Sequence, residues 1–331
     1  MTANNIHLVK AAFHTQFRQA MEECGVSADY YFKKVKLPTE VKDPESLLPE
    51  KPFWHLVNMV AINENIPDFG SRVAQITPWN KIASLTPLIE SSKNLKDLLE
   101  TFCEIASGQS SPVTFSIKDE GVLHSFCCTK TLQFKNEVQM ELYRITSMIQ
   151  MIQLAASSMW RPEIIRLRME PNKIVNANSL LSDSEIQFSQ IDSAITLPKK
   201  ILQLPVQIDI PDSLITKTTE QADLNIEFVK SLHQIINTYT LTNNASLEEI
   251  ADAIGMSART LQRRLADNDL KFNNLLSQSK FEHAKDKLRN TQSTITEIAK
   301  SLGYSDAAHF TRAFHHWSGF SPTNFRKSLV P

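Results

Sequence analysis

Two stretches near the C-terminus decide the fold: SLEEIADAIGMSARTLQRRL, from Ser246 to Leu265, and TITEIAKSLGYSDAAHFTRAF, from Thr294 to Phe314. These stretches align with each other, with one residue inserted in the second. The matched pairs are Ile250/Ile298, Ala251/Ala299, Gly255/Gly303 and Ser257/Ser305, 48 positions apart, then Arg263/Arg312 and Leu265/Phe314, 49 positions apart. The chain therefore contains an internal duplication.

Each copy predicts two short helices joined by a glycine turn. Both open with a capping box, in which a hydroxyl and a carboxylate satisfy unpaired N–H groups at a helix start; the boxes are Ser246 with Glu249 and Thr294 with Glu297. Apolar residues then recur at i, i+3, i+4 and i+7, as in a helix with one buried face. Gly255 and Gly303 end these helices, and we expect Ser257 and Ser305 to cap the helices that follow.

A helix, a short turn and a second helix form the arrangement whose second helix enters the DNA major groove. In the first copy, Arg259, Gln262 and Arg263 lie opposite the apolar stripe. The equivalent outward positions in the second copy are Ala308, Thr311, Arg312 and His315. Arg pairs with guanine and Gln with adenine, whereas Thr and His suit phosphates or base edges. The alternative is a pair of solvated surface helices, and the duplication favours DNA reading.

Another pattern follows the second copy: Phe310-Thr311-Arg312-Ala313-Phe314, then Gly319-Phe320-Ser321-Pro322 and Phe325-Arg326. With this signature, residues 222 to 331 resemble the AraC/XylS family of bacterial transcription regulators. The resemblance implies an all-α DNA-binding domain in which a linker helix, here Phe272 to Asn290, joins two helix-turn-helix units. It assigns base reading to Arg259, Gln262 and Arg263 in the first unit, and to Ala308, His309 and Arg312 in the second.

Two features differ from many members of that family. Ala307 and Ala308 are small where polar side chains are common, so the second unit is expected to read fewer bases or to contact thymine methyl groups. From Leu241 onward the chain carries 12 Lys/Arg and 9 Asp/Glu, a net charge of +3. This modest charge predicts weaker non-specific DNA affinity than in strongly basic proteins.

Composition excludes several other classes of protein. The 331 residues are 42% hydrophobic and 21% charged, with no apolar run of bilayer length and no signal peptide, so we expect a cytoplasmic protein without a membrane segment. Seven scattered glycines provide no nucleotide-binding loop. The four cysteines have no metal-site spacing, and no catalytic motif is present. We therefore predict no cofactor, no metal and no enzymatic activity.

The first two hundred residues predict an α+β domain. Val113–Ile117 and Val122–Cys128 flank a turn at Asp119-Glu120-Gly121, which indicates a hairpin. Apolar spacing predicts helices over Leu8–Met21, Phe53–Ile62 and Asn136–Ser158, and further strands are expected at 164–169 and 186–188. Three segments, 85–102, 112–129 and 160–170, resemble the "arabinose-binding" type of ligand domain found in regulators of ornithine utilisation and virulence.

Three side-chain groups in this region have both a functional and a structural interpretation. The methionines Met140, Met148, Met151 and Met159 suit core packing better than a ligand or dimer face. We expect His55 to be a partly buried imidazole rather than a ligand. Arg161 fits either an effector carboxylate or a structural salt bridge.

Together these patterns predict an effector-binding and dimerisation domain at 1–208, a linker at 209–221 and a DNA-binding domain at 222–331. The resemblance implies a regulator, most often an activator, that binds double-stranded promoter DNA, a small-molecule effector and RNA polymerase. It also implies a homodimer as the DNA-binding form. Three alternatives stay open: regulation by a protein partner or by abundance, a DNA-organising protein that senses nothing, and a methyl-transfer repair enzyme. The last would need an activated cysteine.

Overall fold

The computed structural model describes residues 6, 8–41, 46–76, 86–106, 113–130, 138–175, 178–207, 228–240 and 245–328. The predicted linker at 209–221 lies outside these ranges. The chain divides into two compact units. We call Ala12–Tyr31 with Phe53–Asn225 the sheet unit, and Met1–Ala11 with Phe32–Pro52 and Ile226–Pro331 the helical unit.

The described residues form short strands and mostly short helices. The strands are β1 (Leu8–Lys10), β2 (Leu47–Pro49), β3 (Val113–Glu120), β4 (Leu123–Lys130), β5 (Ile164–Arg166), β6 (Glu185–Gln187) and β7 (Ser193–Pro198). The first eight helices are α1 (Ala12–Glu23), α2 (Ala28–Lys34), α3 (Glu50–Asn63), α4 (Phe69–Ile76), α5 (Thr86–Ser91), α6 (Leu95–Ala106), α7 (Val138–Ala156) and α8 (Lys199–Leu202). The helices that follow are α9 (Phe228–Thr240), α10 (Leu247–Ala253), α11 (Ala258–Ala266), α12 (Phe272–Asn290), α13 (Ile295–Ser301), α14 (Ala307–Ser318) and α15 (Pro322–Lys327).

The sheet unit is built on a five-stranded sheet in the order β3-β4-β7-β5-β6. All neighbours are antiparallel except β5 and β6, which are parallel. The predicted hairpin is confirmed, and its strands run further than expected because Glu120 already pairs with Leu123. Gly121 opens the two-residue turn with φ +89°, a conformation that glycine adopts at no steric cost.

Helices α6 and α7 contribute to the same hydrophobic core as this sheet. Phe126 and Ile195 from the strands are fully buried, as are Ile149 and Ile152 from α7. The predicted long helix is confirmed as α7, and its Met140, Met148 and Met151 are buried core residues. Met159 differs, because α7 ends at Ala156 and this side chain is 80% exposed. The α+β class expected for the N-terminal region is present.

Several local expectations for this region were wrong. Residues 8–10 form β1, so the helix expected from Leu8 begins at Ala12. The His55 side chain is exposed, not partly buried. A contact of Arg161 with an effector carboxylate stays a prediction. Among the described residues its guanidinium forms no salt bridge; it donates to the carbonyl oxygens of Ser158 and Trp160 at 3.0 and 2.9 Å. It therefore braces the turn that leaves α7.

The helical unit combines an N-terminal hairpin with C-terminal helices. Strand β1 pairs antiparallel with β2, Val9 opposite Leu48. Helix α9 contacts both β2 and α12. Beyond α9, the helices follow the order expected from the duplication, and α12 spans Phe272–Asn290 as predicted for the linker helix. From residue 228 onward the described residues form helices joined by turns and short loops, with no strand among them.

Replacing Gly70 with alanine should test the packing of α4 on α7. A Cβ at Gly70 would lie 2.0 Å from the backbone oxygen of Gln139, whereas a Cβ at Gly121 meets nothing within 4 Å. We expect Gly70→Ala to lower the free energy of unfolding by about 3 kcal/mol, because backbone must move. Gly121→Ala should cost about 1 to 2 kcal/mol through its positive φ alone. Urea unfolding of both variants checks the order, and a smaller loss at Gly70 would contradict it.

Candidate nucleic-acid interface

The first helix pair, α10 and α11, has the predicted capping box. The Glu249 N–H donates to Ser246 Oγ at 3.1 Å, and the Ser246 N–H donates to Glu249 Oε2 at 3.3 Å. Gly255 follows α10 with φ +74°. The Ser257 hydroxyl then caps α11 by accepting the Thr260 N–H at 3.1 Å. The capping box thus marks the start of α10, Gly255 follows its end, and Ser257 marks the start of α11.

Helix α11 buries one side and exposes the other. Leu261 and Leu265 are almost fully buried. The three predicted base-reading residues, Arg259, Gln262 and Arg263, are all exposed on the opposite side. Arg264 lies between the two sides, with its guanidinium 5.4 Å from the ring centre of Phe228. The outward face therefore presents two cations and one amide to solvent.

The second helix pair, α13 and α14, has its own capping box, in which the Glu297 N–H donates to Thr294 Oγ1 at 3.2 Å. The expectation for the next cap was wrong: the N-cap of α14 is Asp306, not Ser305. Asp306 Oδ1 accepts the His309 N–H at 2.6 Å, and the Ser305 hydroxyl only donates to the same carboxylate. The inserted residue falls before the cap, so Asp306 is equivalent to Ser257.

Helix α14 places most of its predicted residues on an exposed side. Ala308, His309, Arg312 and His315 are exposed, whereas Thr311 is half-buried. The Thr311 hydroxyl donates to the Ala307 carbonyl oxygen at 2.7 Å, so its proton is already used within the helix. Arg312 and the two histidines are therefore the side chains of this predicted set that are best presented for recognition.

An aromatic core holds α14 from the opposite side. Phe310 and Phe314 are fully buried, and Phe314 contacts the rings of Phe281 and Phe325 with centroids 5.3 and 5.4 Å apart. Phe281 comes from α12 and Phe325 from α15. Large buried rings allow few alternative positions, so the orientation of α14, and with it the exposed side, is fixed by neighbouring helices.

Arg326 gives a physical reason for the last part of the C-terminal signature. Its guanidinium donates to the carbonyl oxygens of Leu288 and Ser293 at 3.3 and 2.7 Å. Leu288 lies in the last turn of α12, where carbonyl oxygens have no partner within the helix, and Ser293 lies just before the N-cap of α13. Arg326 thus ties α15 to the junction of α12 and α13. The sequence pattern contained this residue, but only the structure shows its partners.

Carboxylates at the helix starts are held in their charged form. The backbone N–H of His309 lowers the pKa of the Asp306 carboxyl below its ordinary value. The Thr294 N–H does the same for the pKa of Glu297. Burial alone would raise the pKa of Glu249, but its bonds with Ser246 and Lys36 lower it overall. Each lowered pKa stabilises the fold above the ordinary carboxyl range, and that stabilisation is lost as the pH falls through the folded-state pKa.

The described parts of the chain contain no group of three or more His, Cys, Asp or Glu side chains suited to a metal ion. None of their helices combines the length and apolarity needed to cross a bilayer. Burial raises the pKa of the Cys103 thiol to about 12 and that of Cys127 to about 11. Such thiols carry little thiolate at neutral pH, unlike the activated nucleophile of a methyl-transfer enzyme.

Comparison with known proteins identifies this region. Residues 250–328 match the family model described as a helix-turn-helix domain. The chain is 22% identical to the HTH-type transcriptional regulator VirS of Mycobacterium tuberculosis, over 96% of each protein. It is 37% identical to VqsM of Pseudomonas aeruginosa, over 25% of this chain and 26% of that protein. The C-terminal residues thus form a helix-turn-helix DNA-binding domain of AraC type.

Among solved structures, the transcriptional regulator CdpR from Pseudomonas aeruginosa covers 96% of this chain and 98% of its own, at 14% identity and a TM-score of 0.46. The C-terminal domain of AraT from Geobacillus stearothermophilus covers 30% of this chain at 29% identity and a TM-score of 0.28. The likeness of 1–208 to an arabinose-binding-type domain stays a prediction.

Replacing Asp306 should separate its role from that of Ser305. Asp306→Ala removes the acceptor for the His309 N–H, and alanine is a poor N-cap; we expect a measurably lower thermal midpoint. Asp306→Asn and Ser305→Ala should stay close to the wild type, because asparagine also caps and Ser305 caps nothing. Thermal unfolding followed by circular dichroism checks this. Equal losses for Ser305→Ala and Asp306→Ala would contradict the assigned cap.

Proposed function

We propose that this transcriptional regulator, with its AraC-type DNA-binding domain, reads two successive segments of promoter DNA major groove through α11 and α14. The observation that carries the proposal is the repeated arrangement of the two helix pairs. In both pairs the second helix buries an apolar side and exposes polar residues at equivalent positions, Arg263 in one and Arg312 in the other. A surface helix without a partner has no need for such repetition.

The chemistry of α11 suits direct base recognition. Arg259 and Arg263 offer the two-pronged donor that matches the O6 and N7 acceptors of guanine, and Gln262 offers the donor and acceptor that match adenine. Because all three side chains are exposed on one side of a short, capped helix, one major-groove segment can meet them together. We assign sequence reading in the first helix pair to these residues.

Helix α14 offers a different set of contacts. Arg312 again suits guanine, while His309 and His315 suit phosphates or base edges. Ala308 offers only a methyl group, which fits the thymine methyl. Thr311 contributes less, because its hydroxyl proton is bonded to Ala307. We therefore infer that the second helix pair specifies fewer base pairs than the first.

The length of α12 supports the pairing of the two readers. Its 19 residues extend about 28 Å at a rise of about 1.5 Å each. Successive major-groove segments on one face of B-DNA lie about 34 Å apart. A linker helix of this length, bonded to α15 through Arg326, suits two reading helices held about one helical turn apart.

The N-terminal α+β region is proposed as the regulatory part, with a small-molecule effector as its input. Its sheet and core are large enough for an independent function, which a protein that only organises DNA does not need. A tenfold effect on DNA binding requires an effector to prefer the DNA-competent state by about 1.4 kcal/mol. We further propose that the protein activates transcription, binds repeated sites as a homodimer and contacts RNA polymerase. If no small molecule alters DNA affinity, a protein partner or abundance takes the regulatory role.

Selection of bound sequences from a random DNA pool tests the DNA-reading proposal. The purified full-length protein should be used at about 150 mM salt, because phosphate contacts make affinity strongly salt-dependent. We expect two short motifs with centres about 10 to 10.5 bp apart. The selected site then supports a screen for effectors. Binding that shows no sequence preference would favour a DNA-organising protein instead.

Replacing Arg263 should test base reading directly. Arg263→Ala should cost about 1 to 3 kcal/mol on the selected site and relax the preference at one base pair, because a bidentate contact to guanine is lost. Lys300→Ala is the matched control, since it removes one exposed positive charge from α13, outside the two reading helices. It should weaken selected and random DNA alike. Equal losses on both DNAs for Arg263→Ala would show that Arg263 does not read bases.

A further inference from the structure

An N-terminal segment of the chain packs within the helical unit. Its described residues, up to Ala11 and between Phe32 and Pro52, group with the C-terminal helices rather than with the sheet unit. Strands β1 and β2 form a small antiparallel hairpin, extended by the Ala11 N–H donating to the Ser46 carbonyl oxygen at 2.8 Å. We call the described residues 6, 8–11, 32–41 and 46–52 the N-terminal strap. Nothing in the sequence patterns predicted this association.

Apolar contacts join the N-terminal strap to α9. All three residues of β2 are buried, and Leu48 is fully buried. Helix α9 contacts β2 as well as α12, and its Leu232, Ile235 and Ile236 have no exposed surface. A buried helix with partners on two sides loses part of its cover if one partner leaves. The strap therefore completes the packing of the helix that precedes the first helix pair.

Two lysines of the N-terminal strap pair with acidic residues of α10. Lys36 Nζ lies 3.3 Å from Glu249 Oε1, on the same carboxylate that closes the capping box. Lys51 Nζ lies 2.8 Å from Asp252 Oδ1 and also donates to the Asp252 carbonyl oxygen at 2.9 Å. One lysine thus holds the start of α10, and the other holds its end.

The Lys51 contact lies next to the turn between α10 and α11. Asp252 is three residues before Gly255, and the Lys51 Cδ lies 4.0 Å from the point that a Gly255 Cβ would occupy. Only Ile254 to Ser257 separate the two helices. A shift of the end of α10 would therefore move the start of α11, where Arg259 stands.

We infer that the N-terminal strap is a working part of the DNA-reading unit, and that Lys36 and Lys51 are positioning residues for α10 and α11. This inference rests on the proposed function. It means that the DNA-binding region is not confined to the residues after 222. Lys51 also lies in the first turn of α3.

Exchange of the Lys51 and Asp252 charges tests the inference in the full-length protein on the selected DNA site. Asp252→Lys adds positive charge, so phosphate attraction alone predicts tighter binding. If the Lys51–Asp252 pair positions α10, Asp252→Lys should instead weaken binding. We expect Asp252→Lys and Lys51→Glu each to weaken binding about three- to fivefold, the upper range for an exposed ion pair. The double variant restores an opposite-charge pair and the wild-type net charge. It should bind within about twofold of the wild type.

The matched control makes the same charge changes in another exposed ion pair. Lys96 and Glu100 lie 3.5 Å apart on α6 of the sheet unit. Lys96→Glu and Glu100→Lys should leave DNA affinity unchanged. A circular-dichroism melt of every variant shows whether weaker binding reflects unfolding. Scrambling each selected motif in turn gives a further readout, because the loss for Asp252→Lys should vanish when the motif read by α11 is scrambled.

The outcomes separate the inference from the proposed function. If the wild type discriminates the selected site and Asp252→Lys binds it equally or more tightly, the positioning role is overturned and DNA reading stands. If both single variants bind weakly and the double variant is not restored, the Lys51–Asp252 pair is not the cause, and the inference also fails. If the wild type prefers no sequence, the proposed function fails and the inference fails with it.

Discussion

Short helices need contacts outside themselves to be stable, and that constraint governs the C-terminal third of this protein. Helices α10 and α13 have seven residues each and α11 has nine. Isolated helices of that length are marginal in water, because nucleation costs more than a few hydrogen bonds return. Their stability must come from caps and from one buried face. Both sources leave the opposite face without a structural role, so the polar residues on it are available for a partner.

The same constraint explains which features the sequence could predict. Capping boxes, apolar stripes and terminating glycines are local patterns, so the starts of α10 and α13 and the full extent of α12 were predicted and are confirmed. The exposed sides of α11 and α14 followed from helical periodicity. The cap of α14 did not, because the inserted residue makes either Ser305 or Asp306 acceptable, and only backbone geometry chooses between them. Base reading by the exposed residues stays a prediction.

Outside the duplication, short elements and distant contacts limited what could be predicted. The β3–β4 hairpin and α7 carry clear local signals and were found. Strand β7 was missed: Ser193–Pro198 is almost wholly buried in the middle of the sheet, so it lacks the alternation that marks a half-exposed strand. Strands β1 and β2 have three residues each, too few for a period. Their pairing joins residues about forty positions apart, and no local pattern specifies it.

The acidic character of α10 links the N-terminal strap to DNA recognition. Its seven residues include Glu248, Glu249 and Asp252 and no cation, which is an unfavourable composition beside a polyanion. Lys36 and Lys51 neutralise two of the three charges while they position the helix. The net charge of +3 counted from Leu241 onward therefore leaves out part of the helical unit. The N-terminal strap adds Lys36 and Lys51, whose positive charges lie against α10. The two lysine contacts therefore position α10 and also reduce its negative charge. Removing a lysine changes both at once, whereas exchanging the charges of a pair keeps the net charge and tests the position alone.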